Sequence, residues 1–256
     1  AASDVYKRQH CTFPIYGSID AECTAYHAYD EVVGVSKVVS ESVNRLFGDD
    51  VPTVTVYNPI DAAAIRDKAA MTDQNIPLKK EGFIRLSSTG RLVSQKGFDR
   101  LLRIVKRLTD EGCKVELWLF GSGELRGEFE RYIADNGLGD IVTLWGFKSN
   151  PYAYMAQCDL FVCSSVAEGY STAVTEALIL GLPVITTRCS GMEELLGANG
   201  EYGIITDNSE EKLFDGLKGV LDHPDGLAEL AVKARKRSGD FLIKNLVEPI
   251  EDILVR

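Results

Sequence analysis

A chain of 256 residues, 45% hydrophobic and 26% charged, has the composition of a globular protein and enough length for one large domain or one and a half ordinary ones. Its net charge of −10 argues against a nucleic-acid surface, which depends on an excess of Lys and Arg. No apolar run approaches the roughly 20 residues that a membrane helix needs.

Cys11, Cys23, Cys113, Cys158, Cys163 and Cys189 show no C-x-x-C spacing, which argues for reduced thiols in a cytoplasmic protein. With His10, His27 and His223 the only histidines, a zinc site is not expected. Asp4 to Gln9, DVYKRQ, resembles the translation of a sequencing-library adapter, so residues 1–9 are expected to be an artefact and are set aside. The natural chain would then begin inside a reading frame and lack part of its first domain.

From Glu31, EVVGVSKVV predicts a β-branched strand that passes into a helix over SVNRLFG and ends at Gly48-Asp49-Asp50. Val51 to Tyr57 is a second strand, stopped by the turn Asn58-Pro59-Ile60-Asp61. Asp61 to Lys80 is polar and alanine-rich, as suits a helix followed by a linker, and a domain boundary is placed near Lys79. Strands and helices then alternate: FIRLSST and a helix from Gly97; VELWLFG and a helix from about Glu124; IVTLWGF and a short helix around Tyr152; DLFVC and the helix bearing Glu176. PVITT, a helix near Met192, YGIIT and a helix over Glu210 to Leu221 complete the series. Alternation at this spacing predicts an α/β fold with a doubly wound parallel sheet over 80–225, preceded by a partial unit over 10–79. Residues 226–256 read as helices packing back toward the first unit, with Pro249 expected to kink or break them.

The stretch from Phe161 to Glu176, FVCSSVAEGYSTAVTE, carries the strongest chemical signal. It reads as strand, loop and helix, with Glu168 at the mouth of the loop and Glu176 between one and two turns into the helix. Both acids can face the crevice at the strand's carboxyl end, where open α/β sheets bind ligands. The amides of Gly169, Tyr170, Ser171, Thr172 and Ala173 would offer donors and a positive helix end to a phosphate.

The loop from Gly90 to Gly97 adds Arg91, a bidentate fork, and Lys96, a compact charge, which together could neutralise a diphosphate without metal. A solvated surface loop is the equal alternative for this segment taken alone. Gly121 and Gly123 form a G-x-G turn that serves a ligand or any tight strand-to-helix connection. Trp145 and Phe147 could pack near a nucleobase, although core packing is the commoner fate of such a pair. An isolated E-x7-E pair is also common. In company with a helix start and two cations, it describes a nucleotide-sugar pocket.

In this order, GRLVSQKGFDRLL, LFGSGELRGEFE, VTLWGF, EGYSTAVTEALILGLPVITT and SGMEELL resemble the donor domain of retaining glycosyltransferases of family 4, with the GT-B architecture. VVGVSKVV and VTVYNPID resemble the end of that family's acceptor domain, so the likeness covers about Asp30 to Leu221. The resemblance implies that Arg91 and Lys96 bind the donor diphosphate, that Glu176 binds the ribose hydroxyls and that Glu168 holds the donor sugar. It implies that Gly169 to Ala173 place amides on sugar or phosphate, and that His10 in HCTFP matches an acceptor-side histidine near the reaction centre; Gly90, Gly121 and Phe147 are read as nucleotide-sugar contacts from their own place at strand ends.

The implied activity moves a sugar from a nucleotide-diphosphate donor to an acceptor hydroxyl with retention, in surface polysaccharide or glycoconjugate synthesis. No covalent enzyme intermediate, metal or further cofactor is implied. The acceptor would be a carbohydrate or lipid-linked, and membrane contact at the inner face would run through the absent part of the acceptor domain. A noncatalytic nucleotide-sugar binding module is the alternative. A nucleotide-sugar epimerase ranks below it for want of an acid–base dyad.

Overall fold

The computed structural model describes residues 24–71, 73–241, 247, 250 and 251. The adapter-like segment, His10, Cys11, Cys23 and Pro249 lie outside the described residues. Strands β1 (Val32–Gly34) and β2 (Thr53–Thr55) pair in parallel as a two-stranded sheet, joined by helix α1 (Lys37–Phe47).

Lys37, Val38 and Val39, read from the sequence as strand, are helical. Ser36 is extended and accepts from the Val39 amide at 3.2 Å, while the Glu194 carboxylate accepts from the Lys37 and Val38 amides at 3.0 and 3.2 Å. Three of the amides that a helix start leaves without partners are thus satisfied. That outweighs the few tenths of a kcal/mol per residue that valine costs in a helix. Asp61 caps α2 (Ala62–Ala69), accepting from the Ala64 amide at 2.9 Å.

The larger sheet contains β3 (Ile84–Thr89), β4 (Val115–Phe120), β5 (Val142–Gly146), β6 (Leu160–Cys163), β7 (Val184–Thr187) and β8 (Ile204–Thr206). Its order is β5-β4-β3-β6-β7-β8 and every pairing is parallel, as the alternation predicted. The connecting helices are α3 (Phe98–Asp110), α4 (Arg126–Asp135), α5 (Tyr152–Met155), α6 (Thr172–Ile179), α7 (Met192–Leu196) and α8 (Glu210–Asp222), with α9 (Gly226–Ser238) following. The fourth helix begins two residues later than Glu124 suggests, because Leu125 is still held in the preceding turn by the Leu92 carbonyl at 3.1 Å. The chain builds outward from β3 to one edge, then returns to β6 and builds to the other. The helices after β3 and β6, α3 and α6, cover opposite faces of the sheet, so the carboxyl ends of these two strands form the switch point, where open α/β sheets bind ligands in a crevice.

One apolar layer lies under α3, α4 and α8, where Leu101, Ile104 and Leu108 meet Leu117, Val162 and Leu217. The other lies under α5, α6, α7 and α9 and includes Met155, Phe161, Val174 and Leu178. Strands buried on both faces read as continuous apolar runs, which is why WLF and LFVC were legible. Upstream of the boundary placed at Lys79, Ala62 and Ile65 of α2 share this second layer. Helix α9 packs on α6, and Arg66 of α2 donates to the Ser238 hydroxyl at 3.2 Å.

At the opposite end from the crevice, Arg85 of β3 and Glu116 of β4 stand in register and form a buried ion pair at 2.7 Å. The same guanidinium donates to the Pro77 and Leu78 carbonyls at 3.2 and 3.0 Å and stacks 3.8 Å from the Trp118 ring centroid. The segment entering the large sheet is thereby tied to its first strand.

Candidate functional site at the sheet switch point

The loops after β3 and β6 form one hydrogen-bonded unit. Ser164 donates from its hydroxyl to the Lys96 carbonyl at 3.0 Å, the Val166 amide donates to the Gln95 carbonyl at 2.8 Å, and Gln95 Nε2 donates to the Ala167 carbonyl at 2.9 Å. The approach is close enough to need glycine: Gly97 has φ 61°, and a Cβ there would lie 2.1 Å from the Ser164 carbonyl oxygen.

This stitching brings Lys96 Nζ to 2.6 Å from Glu168 Oε1, although the residues are 72 apart in sequence. Ser165 Oγ donates to the same carboxylate oxygen at 2.6 Å. Glu168 is 7% exposed and the Lys96 side chain 20%, so the acid is buried and the amine is still accessible. Arg91, on the same loop, is exposed; its carbonyl accepts from the Val93 amide at 2.9 Å, and its side chain makes no hydrogen bond or ion pair with another described residue. The Lys96 stem runs across Gly90, where a Cβ would stand 3.3 Å from its Cδ and Cε.

Gly121 serves the packing of loop on loop. Its φ is 130°, its amide donates to the Gly146 carbonyl at 2.8 Å, and a Cβ would fall 1.9 Å from the Gly90 carbonyl oxygen. Ser171 caps α6 and accepts from the Val174 amide at 3.4 Å. The amides of Gly169, Tyr170, Ser171, Thr172 and Ala173 donate to no other described residue, so the positive end of α6 opens unpaired beside Lys96 and Glu168. The Tyr170 ring is buried, 5.0 Å from the Tyr57 ring, and burial raises its phenol above the usual range.

Glu176 is half-buried on α6 and is bonded to Tyr152, whose hydroxyl donates to Oε1 at 2.9 Å, rather than to the Lys96–Glu168 pair. Burial raises the Glu176 carboxyl above its ordinary range, partly opposed by that hydrogen bond. Burial and the Glu176 charge raise the Tyr152 phenol in turn. Trp145 and Phe147 part company. Trp145 packs 4.9 Å from the Tyr154 ring and 5.4 Å from the Trp118 ring, whereas Phe147 is 79% exposed just past the end of β5.

Sequence reasoning missed Ser165, Tyr152, Tyr57 and the role of Glu194. The Tyr57 hydroxyl donates to Glu194 Oε2 at 2.8 Å, and burial followed by that carboxylate pushes the phenol up to about 12. Glu194 therefore joins the small-sheet unit to α7 through both Tyr57 and the start of α1. The second serine of SSVAEG was the available signal for Ser165. The partnership of Glu194 has no local signature.

The strand order, with Lys96, Glu168 and the start of α6 gathered at its switch point, is that of a Rossmann-like sheet, and solved GT-B structures share it. HepE of Anabaena, solved with UDP and glucose, superposes with TM-score 0.79 over 93% of this chain and 66% of that one at 20% identity. Sucrose-phosphate synthase of Thermosynechococcus elongatus superposes with TM-score 0.75 over 92% of this chain and 60% of that one at 18% identity. At such identities the likeness is one of fold.

Residues 84–223 match the family model described as Glycosyl transferases group 1, and the chain belongs to that family. A Campylobacter jejuni relative, N-acetylgalactosamine-N,N'-diacetylbacillosaminyl-diphospho-undecaprenol 4-alpha-N-acetylgalactosaminyltransferase, is 34% identical over 73% of this chain and 49% of its own length. The MMP alpha-(1->4)-mannosyltransferase of Mycolicibacterium hassiacum is 33% identical over 57% of this chain and 36% of its own length. The chain thus spans about half the length, or less, of these curated relatives.

Proposed function

We propose that the protein, in its full-length form, is a retaining glycosyltransferase that moves a sugar from a nucleotide diphosphate to an acceptor hydroxyl. The observation that carries this reading is the Lys96–Glu168 pair at 2.6 Å, set at the switch point beside the unpaired amides that begin α6. In the reaction, the bond between the anomeric carbon and the leaving phosphate oxygen breaks with its electrons passing to phosphate. The acceptor oxygen bonds to the same face, and its proton passes to the departing phosphate.

Negative charge grows on the diphosphate, so Lys96, Arg91 and the amides of Gly169 to Ala173 are suited to stabilise it, with side-chain cations in place of a metal. Glu168 accepts from hydroxyls of the sugar and Glu176 from those of the ribose. Gly90, Gly121 and the exposed Phe147 flank the nucleotide, and His10 serves the acceptor side.

The acceptor is a carbohydrate or a lipid-linked glycan, and the product a surface polysaccharide or glycoconjugate. The Campylobacter relative, whose name includes a diphospho-undecaprenol, supports that class. No helix among the described residues is long and apolar enough to cross a membrane. The free thiols of Cys113, Cys158, Cys163 and Cys189 support a cytoplasmic setting.

Calorimetric titration of the full-length protein with UDP-, GDP- and ADP-sugars, combined with a product assay, tests the reading. One donor class is expected to bind and be turned over. Binding without transfer or hydrolysis would instead support a binding module, and binding of none would overturn the proposal.

The raised Glu176 carboxyl adds a pH signature. Protonation weakens it as an acceptor, so donor affinity is expected to decline as pH falls through its raised value, above the pH an ordinary glutamate would set. Dissociation constants measured over roughly pH 4.5–8 should show this limb in the unaltered protein and lose it in E176Q. The same limb in both would remove Glu176 from the ribose site.

A further inference from the structure

We propose that Arg100 is a positioning residue that sets the Lys96–Glu168 pair by gripping the carbonyls of the Ser164–Ser165 turn from behind. Its effect on turnover rests on the transferase reading above. Its effect on the pair does not.

Arg100 lies on α3 and is 8% exposed, on a helix whose neighbouring buried positions are Leu101, Ile104, Val105 and Leu108. Its Nε donates to the Ser164 carbonyl at 2.7 Å and Nη2 to the Ser165 carbonyl at 2.6 Å. Nη1 donates to Asn208 Oδ1 at 2.9 Å, and the Asn208 amide nitrogen donates in turn to the Val166 carbonyl at 2.7 Å. Thr187 adds a hydroxyl to the Ser165 carbonyl at 2.6 Å. The carbonyls of Ser164, Ser165 and Val166 are therefore all held on the side of the turn served by Arg100 and Asn208.

The hydroxyls of the same two serines reach the pair. Ser164 Oγ donates to the carbonyl of Lys96, and Ser165 Oγ donates to the carboxylate of Glu168. One guanidinium thus fixes the backbone from which both members of the pair are held.

Among the described residues, every hydrogen-bond partner of the Arg100 side chain is neutral: two carbonyls, an amide oxygen and, at 3.3 Å, the Thr187 hydroxyl. Burying a cation without a bonded carboxylate is a costly way to gain stability. It is an effective way to impose geometry, because the planar fork matches several acceptors at fixed angles and a lysine ammonium does not.

The test uses R100Q and R100K, with N208A as the milder variant that leaves Arg100 in place and E168Q as the benchmark for a broken pair. Trace acetylation with acetic anhydride, read lysine by lysine by mass spectrometry, reports how strongly Lys96 is held whether or not the protein turns over. Lys96 labelling is expected to rise about fivefold in R100Q and N208A, toward the E168Q level, the factor corresponding to ~1 kcal/mol of pairing. Lys79 and Lys233, paired away from α3 with Asp159 and Glu229, should label as before.

With a donor that the unaltered protein uses, kcat should fall by about 10- to 100-fold while donor KM changes little, and R100K should not restore it. Should R100Q fail to fold, R100K and N208A carry the test. Unchanged Lys96 labelling in the folded variants, with E168Q raised, overturns the positioning role whatever the turnover. Raised labelling in a protein that uses no sugar nucleotide upholds that role and overturns the transferase reading.

Discussion

Replacing Lys96 with alanine in the full-length protein is expected to lower kcat with a nucleotide-sugar donor by about 10²–10³-fold, the usual loss when one preorganised donor to a developing oxyanion is removed. The amine is fixed before the substrate arrives. Its stem lies over Gly90, its nitrogen is 2.6 Å from Glu168, and the Lys96 carbonyl receives the Ser164 hydroxyl. No reorganisation is then needed when the phosphate charge appears, and little of the amine's effect can be supplied by water once the donor fills the crevice.

K96R should retain charge yet recover only part of the rate, because a planar fork cannot sit where a compact ammonium fits between Glu168 and the Gly90 backbone. Lys96 and Glu168 act as a unit, so K96A combined with E168Q should cost far less than the product of the two single losses. Steady-state rates for K96A, K96R, E168Q and the K96A/E168Q double variant decide the matter. Near-normal transfer by K96A would remove the lysine from the reaction.

The largest effect on stability is expected at Glu116. Arg85 is 1% exposed, and Glu116 is the one carboxylate bonded to its side chain among the described residues. E116A leaves a buried guanidinium with only the Pro77 and Leu78 carbonyls and the Trp118 face. Breaking a buried pair on one side costs about 3–5 kcal/mol. At roughly 2–4 °C per kcal/mol for a chain of this size, Tm should fall by roughly 6–20 °C. Replacing both partners, as R85M with E116L, should recover part of the loss but not all, because the linker carbonyls would still lose their donor. Calorimetry of the two variants separates these outcomes. A Tm for E116A close to that of the unaltered protein would mean that water or a shifted side chain reaches Arg85.

Much of the large sheet was readable from local pattern. VELWLF and DLFVC announce strands buried on both faces, and Ser171 announces a helix start that the structure places at Thr172. That Lys96 and Glu168 lie at the same end of the sheet followed from putting both loops at strand carboxyl ends. Other features resisted. In DRLLRIVKRL, Arg100, Arg103, Lys106 and Arg107 all look like a charged helix face. Three of them meet acids at the surface, while Arg100 turns inward because the Ser164 and Ser165 carbonyls, 64 and 65 residues away from it and its own helix, are waiting there. Likewise, SKVV reads as strand until Glu194, more than 150 residues on, accepts from its amides at 3.0 and 3.2 Å.

By itself the sequence determined what short-range physics decides: where strands and helices alternate, which turns need glycine, where α6 begins and which loops carry charge. The tertiary structure alone decided partnership, which acid Lys96 meets, which hydroxyl holds Glu176, which arginine is buried and what supports the serine turn. Periodicity and capping act over a few residues. An ion pair or a buried donor depends instead on where parallel crossovers deliver segments tens of residues apart, and one chain's pattern does not encode that placement locally.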